Sequence, residues 1–273
     1  MIYLTNKELL KEIHASKNTF CSYVDDEVEQ YDVILPGLDR INRLTISQAK
    51  KNRAQRLNDL KTDGKRSKKV LEALESELVD PKKVKNTEVV FRVMSWEHVP
   101  LAPGRKKSPK ITSDHYAKLN FPPFQHYKLD DEGKPYCVGK SHWKGGMENG
   151  HFCKDKGRIT ANLARMFIKL CERYSSRSNL RGYTYVDEMR GQALLQLSMI
   201  GLQFDESKSQ NPFAYYTAAI TNSFTRVLNL EKRTQHIRDD ILEANNLNPS
   251  FTRQMSNEEK MRTLRDSNTT TEG

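Results

Sequence analysis

Three segments in the C-terminal half carry apolar residues at helical spacing, and they constrain the fold more than any other feature. The segments span residues 158–174, 183–203 and 212–232. In each, apolar side chains recur every three or four residues and form one stripe along a helix. A lone helix cannot bury such a stripe, so the three helices should pack together. The sequence therefore predicts a helical domain over residues 151–245.

The N-terminal part predicts shorter and more basic elements. Residues 5–13 predict a helix that Thr5 or Asn6 can cap. Residues 45–62 and 67–79 predict two basic helices joined around Asp63-Gly64, the first capped by Thr45 or Ser47.

The middle of the chain is interpreted as mostly irregular. Residues 88–94 are rich in Val and Phe and predict one short strand. Residues 99–150 are rich in proline and glycine and are interpreted as loop with short ordered pieces. The predicted fold is mainly α: a basic, loop-rich N-terminal part over 1–150, the helical domain, and a polar tail over 246–273 that we expect to be disordered.

Basic charge is concentrated in one part of the chain. The formal net charge is +10, from 45 Lys and Arg against 35 Asp and Glu. Between Arg40 and Lys110 there are 19 basic and 8 acidic residues, a net of +11, which leaves −1 for the remainder. Such an excess favours a polyanionic partner, usually nucleic acid. A solvated charged surface and an acidic protein partner are the alternatives.

Membrane insertion and secretion are not indicated by the sequence. No stretch approaches the roughly 20 apolar residues that a spanning helix needs. The N-terminus lacks the charged-then-apolar pattern of a signal peptide. We therefore expect the four cysteines to be reduced thiols.

The helical segments resemble conserved region 2 of bacterial sigma factors, and most closely the late-transcription sigma factors of T-even-type bacteriophages. The resemblance rests on Asp187-Glu188-Met189, Gly201–Asp205, Glu206-Ser207-Lys208 and Asn211–Tyr216, and it continues to Glu231-Lys232-Arg233 without a gap. It covers about residues 158–240 and 5–13. Residues 14–150 look like an insertion relative to that family.

The resemblance implies a subunit that gives host RNA polymerase its promoter specificity in phage late transcription. Such a subunit would bind the β′ clamp coiled-coil of the polymerase core and recognise and help melt a −10-like promoter element in the host cytoplasm. It would do no chemistry itself and need no cofactor. A phage coactivator and a sliding clamp are further partners that the family implies, although this tail offers only Met261 and Leu264 for a clamp motif.

Two sets of residues are implied to make these contacts. The set implied for DNA comprises Phe213, Tyr215, Tyr216, Asn222, Arg226, Lys232 and Arg233. Tyr216 matches the tyrosine on which the family stacks a promoter adenine, but its spacing equally fits the core stripe, as does that of Phe213. The set implied for core polymerase comprises Asp187, Glu188, Arg190, Gly191, Gln192 and Leu195. Gly191 suggests close approach of another helix, since glycine there lowers helix stability by about 1 kcal/mol.

Other features leave alternatives open. Ala219 and Ile220 stand where housekeeping sigma factors carry a tryptophan pair, and the phage subfamily also lacks that pair. Zinc could be bound by Cys137, His142, His151 and Cys153, but their spacing matches no familiar zinc site, and unrelated loop residues are the favoured interpretation. A polymerase-binding adaptor or anti-sigma protein is the second functional hypothesis, and a metal-dependent nuclease is the third.

Overall fold

The computed structural model describes residues 4–62, 78–100, 119–180 and 182–269, with side chains as far as Thr263. The described helices are α1 (Asn6–Asn18), α2 (Arg43–Lys61), α3 (Ala161–Ser175), α4 (Val186–Ile200), α5 (Pro212–Ala244) and α6 (Phe251–Thr269). The described strands are β1 (Cys21–Tyr23), β2 (Val33–Leu35), β3 (Phe91–Met94), β4 (Phe124–Leu129), β5 (Pro135–Ser141), β6 (Trp143–Lys144) and β7 (His151–Phe152). The fold is therefore mixed, with more helix than sheet. None of the described helices is long and apolar enough to cross a membrane.

The chain divides into two compact units. The first unit is made from the described residues of Met1–Leu170 and Leu197–Thr217. The second is made from the described residues of Cys171–Gln196 and Ala218–Gly273.

A five-stranded sheet forms the centre of the first unit. Its strand order is β1-β5-β4-β3-β2, with β2 parallel to β3 and the other neighbours antiparallel. The predicted strand over 88–94 is confirmed in β3, although residues 86–88 form a turn of 3-10 helix. β6 and β7 pair as a separate two-stranded sheet.

The interpretation of residues 99–150 as loop is wrong where the structure describes them, because β4 and β5 occupy the middle of the sheet. Pro122 and Pro123 precede β4, and Pro135 is the first residue of β5. Proline is tolerated at a strand's first residue, where its missing N–H need not remove an inner ladder bond. Five of the six residues of β4 are buried, so the strand shows no alternation of polar and apolar residues. Residues 101–118 lie outside the described part of the chain.

The predicted helices are confirmed, with changes at their ends. Thr5 caps α1 through a reciprocal pair of hydrogen bonds with Glu8, and the helix continues to Asn18. α2 begins at Arg43, and its cap is Asn42 rather than Thr45 or Ser47. The second basic helix was predicted over 67–79, of which 67–77 lie outside the described residues.

The expectation of a disordered tail is wrong, since residues 251–269 form α6. The side chain of Asp239 accepts hydrogen bonds from the backbone N–H and the hydroxyl of Ser250, at 2.9 and 2.7 Å. These bonds lower the pKa of Asp239. Arg253 contacts Asp240 and Glu243 at 2.9 and 3.3 Å. Polar contacts thus hold the start of α6 against α5. The helix lacks the apolar stripe by which a helix is predicted from sequence.

A buried lysine connects α1 to the loop before α5. Lys17 is 1% exposed, and its ammonium contacts both carboxylate oxygens of Glu206 at 2.8 and 2.7 Å. It also donates to the carbonyl of Phe204 at 2.6 Å. Burial alone would raise the pKa of Glu206, but the Lys17 charge lowers it, so the carboxylate stays ionised.

A second buried cation, Arg92 on β3, is enclosed by aromatic rings. Its guanidinium lies 4.0 Å from the ring centre of Tyr31 and 3.8 Å from that of Phe124. Its Nε–H donates to Nε2 of His126 at 2.9 Å, which leaves the His126 Nδ1–H to donate to the Val28 carbonyl at 2.6 Å. Burial, with the charge of Arg92, therefore keeps the pKa of His126 well below its ordinary value.

His14 on α1 completes this network. Its Nδ1 accepts from Arg92 at 3.3 Å, which assigns the proton to Nε2, 3.0 Å from the Tyr31 hydroxyl. Burial and the charge of Arg92 lower the pKa of His14 from 6.5 to about 3. The imidazole is therefore neutral in the folded protein at neutral pH.

Replacing Lys17 alone should destabilise the first unit more than replacing both members of the pair. In Lys17→Met, Glu206 would be left buried without its counter-charge, and we expect the free energy of unfolding to fall by about 3–5 kcal/mol. In Lys17→Met/Glu206→Leu no buried charge is left unpaired, so much of that loss should be recovered. Urea unfolding of the wild type, both single variants and the double variant measures the coupling. Additive losses would contradict the ion pair.

The neutral state of His14 predicts that the protein loses stability on mild acidification. Its pKa is about 3 in the folded chain against 6.5 for the free side chain. Below pH 6.5 the unfolded chain therefore binds a proton that the folded chain does not. The free energy of unfolding should then fall by up to about 1.4 kcal/mol per pH unit. Urea unfolding between pH 7 and 5, above the range of most carboxylates, should show a shallower dependence for His14→Gln. Equal slopes in the two proteins would show that His14 does not titrate in this way.

Candidate functional site on helices α4 and α5

The start of α5 is capped by two asparagine side chains. Asn211 accepts from the backbone N–H of Ala214 at 3.1 Å, as an N-cap side chain does. Asn6 of α1 accepts from the N–H of Phe213 at 3.2 Å. Pro212 occupies the first helical position, where its missing N–H costs nothing. Two otherwise unpaired N–H groups are thereby satisfied, and the first turn of α5 is anchored to α1.

Tyr216 is a core residue in the first unit. Its side chain is fully buried, and its hydroxyl donates a short hydrogen bond to the carbonyl of Gly201. Its ring packs edge-on against Phe167, with centroids 4.9 Å apart. In this structure a base cannot reach the ring without opening the core. Tyr216 therefore lies in the apolar stripe, as its helical spacing predicts. The ring that the family resemblance assigns to base stacking is not accessible in this structure.

Phe213 and Tyr215 are the accessible aromatic residues of this turn. Phe213 is 39% exposed, and Tyr215 is half-buried against Phe204, with ring centroids 5.6 Å apart. Burial raises the pKa of the Tyr215 hydroxyl, so it is a neutral donor and acceptor at physiological pH. The Tyr215 ring also lies 5.3 Å from that of Tyr216, so part of it, together with Phe213, is accessible for stacking on a planar ligand.

Further along α5, within the second unit, polar and basic side chains occupy the outer surface. Asn222, Arg226 and Arg233 are all exposed, and their spacing of four and seven residues places them on one helix face. The buried face carries Phe224 and Val227. Among the described residues, no ion pair engages either arginine.

Lys232 is also exposed but lies about 100° around the helix from Arg233. It therefore belongs to a flank of α5, and the sequence-derived set of DNA-contacting residues does not share one helix face.

The N-terminal two-thirds of α4 expose a mixed surface. Glu188, Gly191, Gln192 and Leu195 follow at steps of three and four and are all exposed, while Met189 and Ala193 are buried on the opposite side. Gln192 donates to Glu188 at 3.0 Å. We call the exposed set, Glu188, Gly191, Gln192 and Leu195, the α4 face.

Two features of the α4 face suit a partner. Leu195 is 57% exposed and presents an apolar side chain to a partner. A Cβ added at Gly191 would meet no atom within 4 Å. The glycine is thus not required by packing among the described residues, and it leaves the helix backbone open to close approach from outside.

Asp187 and Arg190 form an ion pair at 2.7 Å beside the α4 face. Asp187 is exposed and Arg190 is partly exposed, so the pair contributes at most about 1 kcal/mol to stability. The charges of Asp187 and Arg190 can therefore also interact with a partner.

The four candidate zinc ligands do not form a metal site. Cys137 lies in the sheet core, with its thiol 3.5 Å from the Gly139 carbonyl. His142 is fully buried, its ring 4.2 Å from that of Phe121. His151 and Cys153 lie on and just after β7. Among the described residues no three His, Cys, Asp or Glu side chains come together to hold a metal ion. The zinc ligands suggested by the sequence are therefore not brought together in that part of the chain.

Sequence reasoning missed the residues that position the site. Neither the cap from Asn6 nor the Lys17–Glu206 pair was anticipated. One signal was present: Leu9, Ile13 and Lys17 follow at steps of four, which places a lysine in the buried stripe of α1. A cation at such a position needs a buried partner.

Comparison with known proteins leaves the site to be argued from its own chemistry. No protein-family model matches the chain, and no curated protein and no solved structure matches it either.

Proposed function

We propose that this chain is a sigma-like subunit of RNA polymerase that directs phage late transcription. It binds the host polymerase core and captures unpaired bases of a −10-like promoter element. The observation that carries the proposal is helix α5. Its first turn exposes aromatic rings, and its later turns expose an amide and two guanidinium groups along one face.

The aromatic residues supply the means to hold single-stranded DNA. Stacking of a base on an aromatic side chain is worth about 1–3 kcal/mol, and nearby cations add attraction to the phosphates. Because Tyr216 is buried, we assign stacking to Phe213 and Tyr215. Asn222, Arg226 and Arg233 are assigned to base edges and backbone, with Lys232 in a peripheral role.

The α4 face is assigned to the polymerase core. Its exposed leucine and unobstructed glycine suit docking of a helix, and the neighbouring Asp187–Arg190 pair supplies charges that can exchange partners. The resemblance to sigma region 2 covers these same positions. The coactivator and the sliding clamp that the resemblance implies stay proposals without an assigned surface, since Met261 is exposed on α6 and Leu264 lies beyond the described side chains.

A polymerase-binding adaptor or anti-sigma protein is the second candidate, and the α4 face alone would serve it equally well. The accessible aromatic rings and cations on α5 favour the promoter-binding function, because an adaptor that does not contact DNA does not need them to bind polymerase.

Transcription with purified components tests the proposal. Host core polymerase, the full chain and genomic DNA of the encoding phage should yield specific run-off transcripts that core alone does not make. Permanganate footprinting should detect unpaired thymines upstream of each start site. Association with core but no melting and no specific transcripts would support the adaptor instead.

Tyr215 and Tyr216 should respond to substitution in opposite ways. Tyr215→Ala should weaken promoter melting by the equivalent of about 1–3 kcal/mol while leaving the fold intact. Tyr216→Ala should lower the free energy of unfolding by about 3–5 kcal/mol, because it empties a buried site. Tyr216→Phe loses one buried hydrogen bond and should cost about 1 kcal/mol in stability.

Two measurements on each variant separate these effects. Urea unfolding reports the fold, and permanganate footprinting at a temperature where every variant is folded reports melting. If Tyr216→Phe abolishes melting at full stability, or if Tyr215→Ala melts the promoter normally, the assignment of stacking to Tyr215 is wrong.

Substitution of Gly191 should raise the stability of helix α4 and weaken binding to the polymerase core. Gly191→Ala has room for its methyl group and should raise helix stability by up to about 1 kcal/mol. If the polymerase core approaches the backbone here, the same substitution should weaken the complex, and Gly191→Leu should weaken it further. Surface plasmon resonance with immobilised core measures affinity. Ala164→Leu, at an exposed position of α3, is the control for added bulk. Unchanged affinity in both Gly191 variants would place the docking surface elsewhere.

A further inference from the structure

Helix α2 and the segment 79–85 meet along a seam in the first unit. The side-chain amide of Asn58 donates to the Val79 carbonyl at 3.2 Å, and its oxygen accepts from the Val79 N–H at 2.8 Å. Ala54 and Val84 are buried in the same apolar cluster beneath the seam. Two stretches about 30 residues apart in sequence are thus fixed side by side.

Lysines from both stretches border this seam. Lys51, Lys82, Lys83 and Lys85 are exposed and Lys50 is half-buried. Lys50 and Lys51 lie one turn before Ala54, and the other three lie on either side of Val84. Within the described part of the chain, none of the five forms an ion pair. We call these five lysines the seam surface.

The arginines of α2 are used differently. Arg53 and Arg56 point to the buried carboxylate of Asp32, at 3.7 and 2.8 Å. Arg56 also donates to the Tyr31 carbonyl at 2.7 Å. These two guanidinium groups hold α2 to the sheet, whereas Arg43, the third arginine of the helix, is exposed at its start. The charge that borders the seam therefore comes from the lysines.

Among the described residues, few acidic groups offset the seam surface. Asp80 uses one carboxylate oxygen to accept from the N–H of Lys82, at 2.9 Å. Asp59 is 3.8 Å from Lys7. Glu88, three residues beyond the second stretch, is half-buried. A net positive charge therefore persists along the seam.

We propose that the seam surface binds the phosphate backbone of duplex DNA without reading its sequence. Lysine ammoniums are mobile point charges that neutralise phosphates and release counterions, which is the source of sequence-independent affinity. Protein–protein interfaces are depleted in lysine and enriched in aromatic residues and arginine. A seam bordered by five lysines therefore fits a nucleic-acid backbone better than the acidic surface of a protein.

This surface goes beyond the proposed function and can be tested without it. Base capture concerns unpaired DNA at α5, whereas the seam surface would bind duplex DNA and needs neither polymerase nor a promoter. Its failure and the failure of the sigma-like function are therefore separate outcomes.

The test measures the salt dependence of duplex binding by the full chain. Fluorescence anisotropy with a labelled 30-base-pair duplex of arbitrary sequence gives the binding constant between 50 and 300 mM KCl. In Lys50→Gln/Lys51→Gln/Lys82→Gln/Lys83→Gln the log–log slope should decrease in magnitude by about 2–3.6, since each lost phosphate contact removes about 0.9. Replacing the same four lysines with arginine should preserve the slope.

A matched control removes the same charge elsewhere in the first unit. Lys11→Gln/Lys134→Gln/Lys144→Gln/Lys154→Gln lowers the net charge equally, and its slope should change by less than about 1. Circular dichroism and thermal unfolding check that every variant is folded. The proposal is overturned if the wild type does not bind duplex DNA at 50 mM KCl, if the seam variant keeps the wild-type slope, or if the control lowers the slope as much as the seam variant. A polymerase pull-down in which the seam variant alone loses core binding, with its DNA slope unchanged, would identify an acidic protein as the partner instead.

Discussion

The arrangement around the start of α5 depends on the interaction of the buried Lys17 ammonium with Glu206. Removing a lysine from water costs several kcal/mol, and only a close counter-charge with further hydrogen bonds can offset that cost. Glu206 and the Phe204 carbonyl supply both. Because these two residues belong to the loop that leads into α5, the ion pair fixes that loop against α1. The cap from Asn6 on the same helix then holds the first turn of α5, so an N-terminal helix of 13 residues positions the aromatic residues of the candidate site.

Helices that bury one face only are among the parts of the fold that could be predicted from sequence. α1, α3, α4 and α5 each place apolar residues at steps of three and four, and each was found where its stripe predicts it. β4 gives no such signal, because both of its faces are covered and polar residues such as His126 and Gln125 are buried in it. α6 has no stripe at all, and its start is held by Asp239 and Arg253. Such polar contacts between separate segments depend on the fold and cannot be identified from local spacing.

The candidate site shows the same limit at the level of single residues. Tyr215 and Tyr216 are neighbours in sequence but lie about 100° apart around the helix. Helical spacing placed Tyr216 in the stripe and Tyr215 outside it, whereas the family resemblance put the stacking ring at Tyr216. The two lines of reasoning conflict at this residue, and burial supports the first. On α4 the two lines of reasoning agree. The residues that the resemblance assigns to the polymerase core include the α4 face, which helical spacing places outside the buried stripe.

Two arginines of α2 bind a buried carboxylate, whereas its lysines in the seam surface are left to solvent. This difference links the excess positive charge of the region to function. A guanidinium can bind a carboxylate and a carbonyl together and is more weakly hydrated than an ammonium, so arginine is the cation suited to the Asp32 contact. Arg53 and Arg56 fulfil this structural role, and Asp32 offsets one of their two charges. Folding alone gives no reason for the lysines along the seam, since they are solvated and unpaired within the described residues. Like charges brought together raise the energy of the folded state, so such a cluster opposes the packing of 79–85 on α2. A polyanion bound there would remove that repulsion, and the energy it relieves would add to the affinity for phosphate.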